Sequence, residues 1–182
     1  MFIQTETTPN PATLKFIPGC AVMARGTANF ANVQEADGSP LAQSLFSNDG
    51  VMGVFFGTDF ITISKATDKD WDTMKPLILG VIMEHFQSGR PVIESDCDED
   101  RGDEAESDVI SQIKELIDTR VRPAVAQDGG DIVYKGFENG IVYLHMQGAC
   151  AGCPSSTMTL KHGIENMLRH YVPEVQEVRA VE

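Results

Sequence analysis

Cys150 and Cys153 stand three positions apart in the run Gln147-Gly148-Ala149-Cys150-Ala151-Gly152-Cys153-Pro154. Two thiols at that spacing can point the same way and hold one metal centre or close one disulfide. A strand-like run, Ile141 to Met146, precedes them, and a run with helical spacing, Ser155 to Tyr171, follows. At a helix start the positive end of the dipole favours thiolate over thiol. The thiolate is the form that binds iron or zinc and attacks disulfides. Three chemistries are therefore open: half of a structural zinc site, a redox dithiol, or ligands of an iron–sulfur cluster.

Each of these makes a demand on the rest of the chain. A closed zinc site needs four protein ligands, yet there is no second C-x-x-C or C-x-x-H, and His85, His145, His162 and His170 are scattered. A thioredoxin-like dithiol also sits at a helix start, but the interior here is Ala-Gly rather than Gly-Pro, and no βαβ unit precedes it. Cys20 and Cys97 have no partner at ligand spacing and are read as lacking a site role.

The elements that must position the pair follow from periodicity. Ser107 is a plausible cap for a helix carrying Val109, Ile110, Ile113, Leu116, Ile117 and Val121 on one side. Pro123 lacks an amide hydrogen, so that helix should kink or end near Arg122. Gln127-Asp128-Gly129-Gly130 is a stop signal, read as architectural. Strands are predicted over Asp131–Phe137 and Ile141–Met146, joined through Glu138-Asn139-Gly140. In the second strand Val142, Leu144 and Met146 share a face. Leu160, Ile164, Met167, Leu168 and Tyr171 stripe the helix after the cysteines, Pro173 ends it, and Val175–Val181 supplies a third strand. The order is α-β-β-α-β.

The N-terminal half reads as a separate mixed domain. Strands are expected at Phe2–Glu6 and Thr13–Ile17 around the rigid turn Thr8-Pro9-Asn10-Pro11. Ser39-Pro40 opens a helix over Leu41–Phe46, and Val51–Phe56 with Phe60–Ser64 forms an apolar hairpin. A last helix, Trp71 to Gln87, carries Met74, Leu77, Ile78, Val81, Ile82 and His85/Phe86 on one side and stops at Gly89. Trp71, Phe55 and Phe56 are read as core.

Charge separates the halves. Residues 94–108 hold nine acidic residues against Arg101 alone, so −8 of the chain's net −13 lies in one short stretch. Such a stretch repels itself and buries little, which marks a solvated linker. The fold class is thus α+β: two small α+β domains, 1–93 and 108–182, joined by an acidic flexible linker, 94–107. No basic patch recommends nucleic acid as a partner. No run approaches the ~18 apolar residues of a membrane span. Met1 to Pro18 carries only Lys15 as a basic residue and shows neither a secretory signal nor a transit peptide, so a bacterial cytoplasm is the expected compartment.

Longer patterns then narrow the chemistry. Val121-Arg122-Pro123, Asp128-Gly129-Gly130-Asp131, Gly148 through Thr157, Leu160-Lys161, Gly163-Ile164-Glu165 and Pro173-Glu174-Val175 closely resemble the NifU-like (Nfu) domain of iron–sulfur cluster proteins. Thr8-Pro9-Asn10-Pro11, Leu14-Lys15-Phe16 and the segment Phe55 to Thr62 resemble the N-terminal domain of the same scaffold/carrier family. The resemblance covers both domains and excludes the linker. It implies a carrier rather than an enzyme, one that receives a 4Fe–4S cluster from upstream assembly machinery and delivers it to apo iron–sulfur client proteins. Cys150 and Cys153 would be the iron ligands. A cubane wants four terminal thiolates and this domain supplies two, so a homodimer sharing one cluster is the simplest closure. Gly148 and Gly152 would let the backbone approach the cluster, and Pro154 would start the helix. Ser155, Ser156 or Thr157 would cap it or donate toward sulfur.

Overall fold

The computed structural model describes residues 1–94, 108–151 and 154–181, with the backbone alone at 154–156. The chain divides into two compact units, Met1–Asp98 and Glu99–Glu182. Apart from Glu94, the predicted linker lies outside the described residues, as does Cys97.

The first unit is a five-stranded antiparallel sheet with two helices on one face. Its strands are β1 (Gln4–Thr7), β2 (Thr13–Ile17), β3 (Ala28–Phe30), β4 (Val51–Phe56) and β5 (Ile61–Lys65), in the spatial order β1-β2-β5-β4-β3. Register explains the core. Ile61 lies between Phe16 and Phe56, and Ile63 between Leu14 and Val54, so six apolar side chains share one face. Helix α1 (Pro40–Phe46) brings Leu41 and Leu45 to that face, and α2 (Trp71–Ser88) brings Ile78 and Ile82. Ser39 caps α1 as expected, accepting from the Ala42 amide at 3.2 Å while its hydroxyl donates to the Val92 carbonyl at 2.6 Å.

On the opposite face of this sheet Lys15, Thr62 and Phe55 line up across β2, β5 and β4. The Lys15 ammonium sits 4.7 Å from the Phe60 ring centre and 3.5 Å from a Glu6 carboxylate oxygen. Phe56 is in the core, as expected, while Phe55 is equally buried but on this opposite face, against the Phe60 ring; Trp71 is half-buried, and its indole N–H donates to the Pro11 carbonyl at 3.2 Å. Leu77, placed on the buried stripe of α2 by periodicity, is 59% exposed, because the inward line runs Met74, Ile78, Ile82, His85.

The second unit begins with a helix broken into three pieces. α3 (Asp108–Leu116) passes through a wider π turn, Ile117–Val121, into α4 (Arg122–Gln127). Helical backbone therefore runs on through Pro123 rather than ending near Arg122, with the π turn immediately ahead of the segment that carries the ring. Strands β6 (Gly130–Glu138) and β7 (Ile141–Gly148) form an antiparallel hairpin. Asn139 and Gly140, with φ of 52° and 78°, make the tight turn between them. Helix α5 (Pro154–Tyr171) then crosses over so that β8 (Glu177–Val181) pairs parallel with β7.

Val142, Leu144 and Met146 do face the core, where they meet Ile113, Ile117 and Val125 from the kinked helix and Ile164 and Leu168 from α5. Tyr171 departs from the predicted stripe. It is 41% exposed, with the Arg120 guanidinium 5.0 Å from its ring centre.

Candidate metal centre

The cysteine loop begins where the β6–β7 hairpin opens. Gly130 and Gly148 are the last paired residues of the two strands. From there the chain turns back on itself: the Ala149 amide donates to the Gly129 carbonyl at 3.1 Å, and the Ala151 amide to the Gly148 carbonyl at 3.1 Å. Gly148 takes φ of 64°, a left-handed conformation that a β-carbon disfavours. The Thr157 hydroxyl, in the first turn of α5, donates to the Cys150 carbonyl at 3.1 Å. Strand, turn and helix thus fix the backbone of Cys150 from three sides.

The thiol points inward. Cys150 is only 7% exposed and belongs to the apolar cluster of the second unit. Gly130 makes room for it: a β-carbon there would fall 2.5 Å from the Cys150 sulfur and 2.9 Å from the Gln147 carbonyl oxygen. Burial, with the charges of Asp128 and Asp131 adding to it, pushes the Cys150 thiol up to about 12. The helix-dipole expectation of a thiolate at rest does not hold for this residue.

Beside the thiol runs an ion pair that spans the kinked helix and β6. Arg122 donates Nε to Asp131 Oδ1 and Nη2 to Oδ2, both at 2.9 Å, while Asp131 Oδ1 also accepts from the Ile132 amide at 2.8 Å. Asp118, one turn back, accepts from Arg122 Nη1 at 3.2 Å. These hydrogen bonds to carboxylates, Asp131 first, raise the Arg122 guanidinium above its ordinary value. The Asp128-Gly129-Gly130 turn, read as architecture from sequence, is the floor under Cys150. The one available signal was its two adjacent glycines.

Gly152 and Cys153 lie outside the described residues, as do the side chains of Ser155 and Ser156. Among the described residues no group of three or more His, Cys, Asp or Glu is placed to hold a metal ion. Cys20 is a half-exposed free thiol in the first unit. His85 is buried in that unit, while His145 and His170 lie in the second.

Comparison with known proteins covers most of the chain. Residues 3–89 match the family described as "Scaffold protein Nfu/NifU N terminal", and residues 113–179 match "NifU-like domain". The chain is 54% identical to NifU-like protein 4, mitochondrial, of Arabidopsis thaliana, over 98% of its own length and 65% of that relative. It is 51% identical to the NFU1 iron-sulfur cluster scaffold homolog, mitochondrial, of Homo sapiens, over 100% of its length and 72% of that relative. The chain therefore spans about two thirds of the length of these curated relatives. A solution structure of a NifU-like protein from Saccharomyces cerevisiae, 30% identical, overlaps 53% of this chain and 87% of its own at a TM-score of 0.48.

The relatives overturn one expectation. Both curated proteins are named as mitochondrial, which points away from a bacterial cytoplasm.

Proposed function

The chain belongs to the Nfu/NifU family of iron–sulfur cluster scaffold proteins, and from that premise we propose that it carries a 4Fe–4S cluster on Cys150 and Cys153. The cluster is cargo, taken from upstream assembly machinery and passed to apo iron–sulfur clients, so the chain is a carrier rather than an enzyme. One observation supports this reading above the others: Cys150 and Cys153 are the only cysteines within the matched residues 113–179. Cys150 stands on a backbone pinned by β7, the Gly129 carbonyl and α5.

The donor set fits the cargo. Thiolate sulfur is the ordinary terminal ligand of iron in such clusters, and four are needed for a cubane. Two chains, each offering Cys150 and Cys153, meet that number about a two-fold axis. A cluster held by so few donors at a subunit boundary is released when the dimer opens or a client thiolate displaces one ligand. The division into 1–93, 94–107 and 108–182 belongs to the same reading, with the acidic stretch setting the reach between the parts. A dithiol oxidoreductase is less well served: the loop interior is Ala-Gly rather than Gly-Pro, and an antiparallel hairpin rather than a βαβ unit precedes it.

Anaerobic reconstitution with iron and sulfide tests the ligand assignment. The native chain should turn brown and retain iron and acid-labile sulfide through gel filtration. Cys150→Ser and Cys153→Ser should each lose both. Retention of the full complement by either variant would remove that cysteine from the ligand set.

A further inference from the structure

A cluster ligand ought to face outward, and Cys150 does not. Its sulfur packs over Gly130, at the one place in β6 where a β-carbon would collide with it. Its side chain shares the core with Ile113, Val125, Ile132 and Ile164. Packed against these side chains, Cys150 is left 7% exposed. The backbone is held in the same posture by one side chain from another element, the Thr157 hydroxyl on the Cys150 carbonyl at 3.1 Å. Thr157 is one of three residues, with Ser155 and Ser156, expected to cap α5 or donate toward sulfur; its hydroxyl reaches the backbone carbonyl of Cys150.

We propose that the empty protein keeps Cys150 sheathed, its sulfur docked on Gly130 and its carbonyl latched by Thr157, and that cargo capture requires this latch to open. Thr157 is then a positioning residue, setting how often the thiol is presented. The inference rests on Cys150 being a cluster ligand. Sheathing protects the thiol from alkylation and oxidation while no cargo is present, because both reactions need access to sulfur. The opening is local, since one hydrogen bond and one small side chain are released while the β6–β7 hairpin and α5 keep their own backbone pairing.

Alkylation of Cys150 by iodoacetamide tests this in the full chain with Cys20, Cys97 and Cys153 replaced by Ser. The folded parent should react at least ~100-fold more slowly than the urea-unfolded chain, as expected of a buried thiol. Thr157→Val should react ~5–10-fold faster than the parent, the effect of one lost hydrogen bond, and Thr157→Ser should match the parent. The rates should stay flat across low urea, which separates a local latch from general loosening of the fold. A folded parent that reacts within a few-fold of the unfolded chain overturns the proposal, as does a Val variant that matches the parent. Should the chain with all its cysteines take up no cluster while these ratios hold, the carrier reading falls and the latch's role in capture with it, while the sheathing of Cys150 stands.

Discussion

At the residue scale, Cys150 is a contest between two effects, and burial wins. A helix N-terminus is worth about 0.3–1 kcal/mol to a nearby anion, whereas full desolvation moves a group by several times that. The thiol consequently titrates at about 12 in the folded chain against an ordinary value of 9.0. Below pH 9 both folded and unfolded states hold the proton and this group favours neither. As pH rises from 9 toward 12 the unfolded thiol ionises first, so stability falls across that window. The loss should reach up to about 4 kcal/mol at its ceiling. Urea unfolding of the cluster-free protein at pH 8 and pH 10.5 should show it, and Cys150→Ser should flatten the difference. A native chain with the same midpoint at both values would contradict the buried placement. Sequence spacing identified Cys150 but not its surroundings. Gly130 lies twenty positions earlier, and Arg122 and Asp131 meet across a helix–strand boundary that no periodic rule connects.

At the scale of elements, periodicity found what repeats and missed what is short or locally irregular. The α1 cap, the β4–β5 and β6–β7 hairpins and α5 carry cap, turn and alternation signals strong enough to read directly. Strand β3, Ala28–Phe30, went unread because three residues give no period, and only Phe30 among them is buried. The π turn at Ile117–Val121 is invisible to a 3.6-residue template; Pro123 announced a break without saying which kind. His85 in α2 shows what such a reading leaves out. It was placed on the inward stripe, and it is indeed 6% exposed, with Nε2 lacking a partner among the described residues. Burial holds its imidazole below the ordinary 6.5, against the opposing effect of the Pro91 backbone carbonyl, which accepts from the ring. The folded state therefore favours the neutral ring, and stability present above pH 6.5 is lost as pH falls below it. His85→Phe should keep the pH 7.5 urea midpoint within about 1 kcal/mol and weaken the drop between pH 7 and 5. An unchanged drop would show that His85 is not the group responsible.

At the scale of the whole molecule, the acidic stretch and the cysteine pair are the features that composition alone reveals. Most of the net −13 gathers between two nearly balanced halves, and the half with the C-x-x-C pair has only those two thiols within its matched residues. Compartment was not legible, because an address is read by import machinery and leaves no demand on the folded domains. The central claim of the proposal is one of count: Cys150 and Cys153 are taken as two of the four thiolates a cubane needs, with a second chain supplying the other two. Native mass spectrometry of the anaerobically reconstituted protein weighs chains, iron and sulfide together. The account predicts a species of two chains with about four irons and four sulfides. A single chain carrying the complete cluster would contradict it.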